Sequence, residues 1–209
     1  MRIETVNYNV YQYNELSEDA KEKVKAWCLE GREPFIFTEM CEDDLYNLFG
    51  DNDLKVQYSL GYCQGDGFNI YGEIDAESIL KCLENNNGGT QLEEFKDMLT
   101  DKEKKTILHY AEECGKIELP LNNRYCYSLA DYIDIKESWE YDLECCSGFK
   151  NINTEALEKF EKMVRGIFET LCSSYENQGY EYFYEISEEE LEEMCEANQY
   201  EFLVDGTVF

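Results

Sequence analysis

KVQYSLGYCQGDGFNIYGEI, residues 55–74, is the stretch that decides the fold of this chain. Its side chains alternate on both sides of a glycine-rich middle, with the two-residue period of half-buried β-strands. Asp66-Gly67 lies between the two alternating segments, and this dipeptide in that position is a strong hairpin signal. The residues that share one face are Val56, Tyr58, Leu60 and Tyr62, then Phe68, Ile70, Gly72 and Ile74. The stretch therefore predicts a central β-hairpin at about residues 55–74.

Helix-start and helix-stop residues on both sides of the hairpin predict about six helices. Ser17 and Gly31 bracket an apolar pattern typical of a helix over about residues 18–30. We expect Thr38 to cap a second helix that ends before Gly50, and Asp75 to cap a short third helix.

The second half of the chain contains further helix signals. Capping boxes begin at Thr90, Thr100 and Ser187, so each predicts a helix. Thr154 begins the longest predicted helix. Its apolar residues keep an alternating spacing of three and four, the period of a helix face: Leu157, Phe160, Val164, Ile167 and Leu171.

Three further stretches alternate and are predicted as strands: residues 1–13, 124–135 and 200–204. Together with the hairpin they predict an α+β fold, in which a small antiparallel sheet is packed by the helices. We interpret residues 1–209 as a single domain. A strongly acidic helical subdomain could begin at about residue 152, after the seam at 148–153.

The composition predicts a folded and strongly acidic protein. The 209 residues carry a formal net charge of −29, and Tyr and Phe together number 28. Disordered acidic chains are poor in aromatic residues, so this composition favours a folded chain. Such a charge repels nucleic acid and anionic membranes and attracts basic surfaces over long range. We therefore expect a basic protein partner, with no direct nucleic-acid or membrane binding.

The ten cysteines are expected to be reduced thiols. The opening residues MRIETVNYNV are too polar for the apolar region of a signal peptide, and the chain is long for a disulfide-stapled mini-domain. Several cysteines fall at expected helix-core positions, where a thiol acts as a small hydrophobe. No apolar run approaches the length of about 18 residues that a membrane span needs. These features predict a cytoplasmic protein.

No catalytic or metal-binding motif stands out. Cys145 and Cys146 are adjacent, which suits no common zinc spacing, and His109 is the single histidine, without a sequence partner that would make it a base. No phosphate-binding loop, dinucleotide fingerprint, zinc-protease motif or EF-hand loop occurs. We therefore expect no enzyme activity, no metal and no cofactor.

Two stretches are candidate sites. The first is the hairpin loop, where glycines would let a ligand approach the backbone and the polar side chains would contact it. The loop residues are Gln64, Gly65, Asp66 and Gly67. The alternative interpretation of this loop is that Asp66-Gly67 only satisfies the backbone of a tight turn.

The second candidate site is the acidic C-terminal region. Residues 166–209 contain 12 acidic side chains and no basic one. The candidate partner-binding residues are Glu181, Glu185, Glu188, Glu189, Glu190, Glu192, Glu193 and Glu196. A solvated helix face is the usual meaning of such a run. The functional interpretation is a surface that imitates the phosphates of nucleic acid and binds a basic groove.

Three stretches together resemble a family encoded in bacteriophage genomes and labelled "antitoxin of toxin–antitoxin stability system". They are residues 13–23 (YNELSEDAKEK), 59–72 (SLGYCQGDGFNIYG) and 196–206 (EANQYEFLVDG). They are similar to the family's Y-x-E-L-S-x-x-A-K-E-K opening, S-Q-G-D-G-A-C-F-x-G core and A-N-x-Y-x-F-x-x-D-G close. This chain departs from the pattern at Cys63, where Ser is common, and at 125–127, where Tyr-Ser-His is frequent.

The resemblance implies a phage or mobile-element origin, a single domain and a role for Gln64 and Asp66. The missing histidine at 125–127 argues against histidine-dependent chemistry. Together with the negative charge of the chain, the resemblance predicts a non-enzymatic inhibitor of a basic host protein. The target would be a defence nuclease, as for anti-CRISPR or anti-restriction proteins, or a toxin.

Two alternatives stay open. One is a small-ligand-binding protein or enzyme with its site at residues 64–67, in a pocket lined by Tyr58, Tyr62 and Tyr71. The other is a homo-oligomeric scaffold built on the helix at 154–175, although its stripe covers only about three heptads. The sequence does not predict the oligomeric state.

Overall fold

The computed structural model describes residues 1–4, 6–50, 53–122, 124 and 126–209. Over these residues the chain forms seven α-helices and a three-stranded antiparallel sheet, which confirms the predicted α+β fold. The helices are α1 (Glu18–Glu30), α2 (Pro34–Phe49), α3 (Ala76–Glu84), α4 (Asp101–Cys114), α5 (Lys136–Tyr141), α6 (Thr154–Tyr184) and α7 (Glu188–Ala197). The strands are β1 (Lys55–Ser59), β2 (Gly67–Ile74) and β3 (Ile117–Leu119).

The predicted hairpin is confirmed, and β2 is the central strand of the sheet. Val56 pairs with Ile70 and Ser59 with Gly67 in the β1–β2 ladder, while Ile74 pairs with Ile117 in the β2–β3 ladder. The connection is not the expected tight turn, because β1 ends at Ser59 and residues 60–66 form a seven-residue loop.

Five predicted helices begin where the sequence predicted them. Helix α3 begins at Ala76 directly after Asp75, although the Asp75 side chain makes no capping hydrogen bond. Ser17 accepts a hydrogen bond from the backbone of Ala20 at the start of α1. Thr100 and Ser187 form reciprocal capping boxes at the starts of α4 and α7, and α6 begins at Thr154. Each capping hydrogen bond supplies a partner for backbone N–H groups that the first turn leaves unsatisfied.

The second predicted helix is present and ends before Gly50 as expected, but its predicted start is wrong, and so is the helix predicted from Thr90. Helix α2 begins at Pro34, whose fixed φ suits a first helical turn, and Thr38 lies inside it with its hydroxyl 3.1 Å from Tyr58 Oη. The box at Thr90 does not start a helix, and two short 3-10 turns occupy Gly89–Gln91 and Glu93–Phe95. These turns still bury the apolar side chains of the predicted helix face, which are Leu92, Phe95 and Leu99.

The strand predicted over residues 124–135 is also wrong for its described part, which contains a 3-10 turn at Ala130–Tyr132. Residue 125 of this stretch lies outside the described residues. The third strand is instead Ile117–Leu119. The strands predicted at the two ends of the chain reduce to isolated bridges, Tyr11 with Phe202 and Phe202 with Val208.

The chain divides into two compact units, one of residues 1–36 and 179–209 and the other of residues 37–178. The division does not fall near residue 152, and the single-domain interpretation stays a prediction. The core of the first unit joins α1 to α7 through Tyr13, Leu16, Ala20, Val24, Leu191, Cys195 and Phe202. In the second unit the predicted stripe of α6 is buried from Leu157 to Leu171.

Phe68 of β2 lies at the centre of the second unit and is fully buried. Its ring lies 5.6 Å from that of Tyr58, 5.4 Å from Tyr175 and 6.3 Å from Phe37, so it joins both strands of the hairpin to α2 and α6. This cluster fixes the hairpin in the unit and therefore positions the loop at its end.

Candidate functional site

The hairpin loop is organised around the carboxylate of Asp66. Its Oδ2 accepts hydrogen bonds from the backbone N–H groups of Gly61, at 2.6 Å, and Cys63, at 2.9 Å. Its Oδ1 accepts from Ser59 Oγ at 2.8 Å and lies 3.1 Å from Cys63 Sγ. These donors, the Cys63 backbone first, hold the pKa of Asp66 well below its usual range. The ionised carboxylate thus stabilises the conformation of the loop that contains it.

The tip of the loop is a turn from Cys63 to Asp66, closed by a 3.2 Å backbone hydrogen bond. Gln64 and Gly65 occupy its corner, and Gly65 has a φ of +98°, which favours glycine. Gln64 is exposed, whereas Asp66 is half-buried at the point where the loop meets β2. The structure therefore separates the four predicted loop residues into an exposed corner and an internally bonded base.

Gly67 allows the backbone of a second segment, around Tyr127, to lie close against the hairpin loop. A Cβ at this position would lie 2.6 Å from Tyr127 Cα, so only glycine admits that backbone without a shift. Burial, followed by the charge of Asp66, raises the pKa of Cys126. The hairpin loop and the segment around residue 127 are neighbours, which the sequence did not predict.

Asn69 fixes the second loop and was missed by the sequence analysis. Its side chain is 1% exposed, donates to Pro120 O at 3.0 Å and accepts from Leu129 N at 3.0 Å. One amide therefore holds both ends of the segment between Pro120 and Leu129. An asparagine at a buried position of an otherwise apolar strand is the sequence signal that could have indicated this role of Asn69.

Beside this segment lies an open groove of about 600 Å³. Its lining is mostly apolar or aromatic and contains one charged side chain among the described residues: Pro120, Leu121, Asn122, Arg124, Tyr127, Leu129 and Tyr132. The tyrosines expected around the hairpin loop are not part of this lining. Tyr58 stacks on Phe68, and Tyr62 is 69% exposed.

In the acidic C-terminal region, two of the predicted glutamates are engaged inside the first unit. Glu188 Oε1 lies 2.7 Å from Lys21 Nζ of α1, and this ion pair lowers the pKa of Glu188 and raises that of Lys21. Glu190 Oε2 accepts from the backbone and hydroxyl of Ser187, each at 3.0 Å, and these hydrogen bonds lower the pKa of Glu190. Both carboxylates therefore have a structural role in positioning α7.

Glu181 lies in the last turn of α6 and Glu185 directly follows the helix, and Arg32 Nη1 contacts the carbonyl of Glu181 at 3.4 Å. Arg32 Nη1 donates to Glu185 O at 2.9 Å and to Tyr182 O, and its guanidinium lies 5.2 Å from the Tyr182 ring centroid. A cation at a helix C-terminus offsets the unsatisfied carbonyls there. The two carboxylates themselves are exposed.

The remaining carboxylates of α7 face outward in a row. Leu191 and Cys195 are buried and define the inner face of the helix. At 100° per residue, Glu189, Glu193 and Glu196 lie on the opposite face, and all three are exposed. Within the part of the chain that the structure describes, no ion pair includes them. We call these three residues the outward row.

Glu192 differs from the outward row because it is half-buried. It lines a small cavity of about 70 Å³ together with Tyr13 and Cys195, and Glu196, although exposed, lies at the edge of the same cavity. The eight predicted glutamates are thus not one surface. They divide into internally bonded, half-buried and outward-facing groups.

Other chemistry has little support in the described parts of the chain. No group of three His, Cys, Asp or Glu side chains there is arranged to hold a metal ion. The nine cysteines whose side chains are described are free thiols, and Cys41, Cys82, Cys172 and Cys195 are buried. Burial raises the pKa of Cys41 to about 12 and that of Cys82 to about 11, so these thiols are poor nucleophiles.

His109 is exposed, with its Nδ1 3.4 Å from Glu112 Oε2. Among the helices described, none combines the length and apolar content needed to cross a bilayer.

Comparisons with known proteins find no similarity. No family model matches the chain, and neither a curated protein nor a solved structure matches it. The resemblance to the phage family stays a prediction, and functional arguments rest on the residues themselves.

Proposed function

We propose that this protein is a non-enzymatic inhibitor that binds a basic surface of another protein through the outward row of α7. The observation that carries the proposal is the row itself: Glu189, Glu193 and Glu196 are exposed and share one helix face. Residues 179–209 contain ten acidic side chains and no basic one, so no nearby cation in this segment neutralises the row.

Charge repulsion within the row is unfavourable for the helix alone, although Glu189, in the first turn, is favoured by the helix dipole. Glu189 and Glu193 are four residues apart and Glu193 and Glu196 three apart, and like charges at these spacings destabilise a helix by about 0.2–0.5 kcal/mol per pair. A bound basic surface would convert this repulsion into attraction. The engaged neighbours Glu188 and Glu190 hold the helix in place while the row faces solvent.

The most specific form of the proposal is mimicry of nucleic acid. Carboxylates at positions i, i+4 and i+7 advance by about 10 Å along a helix axis, a line of negative charge such as a phosphate backbone presents. The target would then be a nuclease of a host defence system, as for anti-CRISPR or anti-restriction proteins, or a toxin. A phage or mobile-element origin, and action in the host cytoplasm, belong to this proposal.

The test is capture of a partner from host lysate by the purified protein, with washes of rising salt. We expect one basic protein that is released as salt increases, and loss of that protein with Glu189→Gln, Glu193→Gln and Glu196→Gln combined. The matched control changes the same charge elsewhere: Glu93→Gln, Glu94→Gln and Asp97→Asn, which are exposed in the other unit. Equal capture by the two triple variants would refute the outward row as the binding face.

A second candidate function is supported by the groove of about 600 Å³ beside Gly67, which has the size of a small-molecule site. In this alternative the ligand would bind against Tyr127 and Tyr132 next to the hairpin loop. Asp66→Ala is a poor test, because it would disturb the loop whether or not Asp66 contacts a ligand. Tyr132→Ser is better, since Tyr132 is 70% exposed. Loss of a ligand-induced rise in melting temperature would support the groove.

A further inference from the structure

Helix α2 has large apolar side chains on its solvent-exposed side as well as on its core-facing side. Phe37, Leu45 and Phe49 are buried, whereas Met40 is 54% and Tyr46 59% exposed. Tyr and Met are residue types enriched in protein interfaces, and these two exposed side chains flank the solvent-facing side of α2.

Two carboxylates lie between these apolar side chains. At 100° per residue, Tyr46, Glu39, Asp43 and Met40 follow one another across about 120° of the helix surface. Glu39 and Asp43 are four residues apart and form a like-charge pair, which destabilises a helix. We call residues 39–47 on this side the α2 face.

The other acidic residues of α2 have partners in the same unit. Glu42 Oε2 lies 2.7 Å from Lys55 Nζ, and Asp44 Oδ2 accepts from Tyr175 Oη at 2.5 Å. Helix α2 contains no Lys or Arg. Within the described residues, no ion pair includes Glu39 or Asp43. The α2 face therefore combines uncompensated negative charge with exposed apolar surface.

We propose that the α2 face docks an amphipathic helix of a partner protein, one that carries two Lys or Arg side chains a turn apart between apolar residues. Charge complementarity defines this occupant: the cations would pair with Glu39 and Asp43, and the apolar residues would cover Met40 and Tyr46. The carboxylates follow an i, i+4 ridge, and such ridges pack between the ridges of a second helix. The inference rests on the proposed function in taking the partner to be basic.

The probe is a short synthetic helical peptide with two lysines a turn apart flanked by leucines. Its control is the same peptide with glutamines in place of the leucines, so that the charge is unchanged. Fluorescence anisotropy is measured at roughly 0.5 M salt, where exposed charges are largely screened. We expect the leucine peptide to bind more tightly, and its amide chemical-shift changes to map to residues 39–47.

The variant Met40→Ser with Tyr46→Ser should weaken leucine-peptide binding by about tenfold, since truncated aromatic anchors dominate interface energies. Tyr141→Ser is the matched control, because Tyr141 is 66% exposed on α5. Both altered residues are exposed, so circular dichroism should show an unchanged fold. Equal peptide binding by wild type and the Met40/Tyr46 variant would refute the α2 face as the docking site. Amide chemical-shift changes confined to residues outside 39–47 would refute it as well.

The same variants separate this inference from the proposed function. Against the partner captured from lysate, loss of binding in the outward-row variant with full binding in the Met40/Tyr46 variant would leave the proposed function standing and refute the α2 face. The reverse result would support the α2 face and refute the outward row.

Discussion

Asp66 in the hairpin loop and Glu193 on α7 are carboxylates in the two regions that the sequence singled out. Among the contacts of the described residues, hydrogen bonds hold the oxygens of Asp66 and none holds those of Glu193. Donors from Ser59, Gly61 and Cys63 surround the first, whereas the second projects from the outer face of its helix. A carboxylate whose hydrogen bonds are satisfied internally stabilises the fold. One that repels its neighbours without an internal partner is available to another molecule.

This contrast also exists within α7. Glu190 and Glu193 are three residues apart, yet Glu190 completes the capping box with Ser187 and Glu193 does not contribute to it. Acidic composition alone therefore does not identify a binding surface. Position around the helix decides which carboxylates remain for a partner.

Four variants test whether the hairpin region is structural and the outward row is not. The largest effect is expected for Asn69→Ala, which leaves the half-buried Pro120 carbonyl and the buried Leu129 amide without this partner. We expect the free energy of unfolding to fall by about 2–3 kcal/mol, the desolvation cost of the orphaned groups. Urea denaturation measures it, with the exposed Asn47→Ala as control. A loss of stability no larger than that of the control would contradict the role of Asn69 in holding both ends of the segment between Pro120 and Leu129, which we call the Asn69 clamp.

Asp66→Asn should have the next largest effect, because an amide replaces an acceptor that faces backbone N–H groups. The folded pKa of Asp66 is lowered, so its contribution to stability is complete above the ordinary aspartate pKa of about 3.9 and is lost as pH falls below that. The difference in stability between wild type and variant should therefore shrink in acid. Amide hydrogen exchange at Gly61 and Cys63 provides the local measurement. If the difference in stability between wild type and variant stayed constant down to low pH, the ionised carboxylate of Asp66 would not be what stabilises the loop.

Ser187→Ala should have a smaller effect, confined to α7. Loss of an N-cap side chain costs about 1 kcal/mol. Faster hydrogen exchange in the first turn of α7 is the expected observation, with Ser173→Ala, inside α6, as a control. Unchanged exchange would mean that the cap is not needed to start the helix.

The smallest effect, and of opposite sign, is expected for the combined Glu-to-Gln variant of the outward row. Removing the repulsion should leave stability unchanged or raise it by about 0.5 kcal/mol. Thermal melting at low and high salt measures it, and the rise should vanish at high salt. A marked loss of stability would show that the row has a structural role, which would weaken the proposed function.

Local signals were sufficient for much of the fold. The caps at Ser17, Thr100 and Ser187 act within one turn of chain, so the helix starts that they predict are confirmed. The hairpin followed from alternation, which reports which face is buried. These features depend on residues close together in sequence, where the sequence is most informative.

Predictions failed where distant contacts decide the structure. Alternation in 124–135 suggested a strand, but Leu129, in the middle of this stretch, is held by Asn69, sixty residues earlier. Thr38 resembles a cap, yet Pro34 starts the helix sooner. For the candidate sites, the sequence identified the acidic residues and the loop. It could not separate Glu188, paired with Lys21, from the outward row, because that pair joins residues 167 positions apart.

The Asn69 clamp has a consequence for how this protein could change over time. Because one side chain of β2 holds both Pro120, which directly follows β3, and Leu129, the two ends of the segment between them lie close together. A segment whose ends already meet gains residues at little extra entropic cost of closure. The junction after Leu121, which is 49% exposed and lies between the two held residues, is therefore a place where insertions are tolerated, and where an epitope or a new recognition loop could be grafted while the strands stay intact.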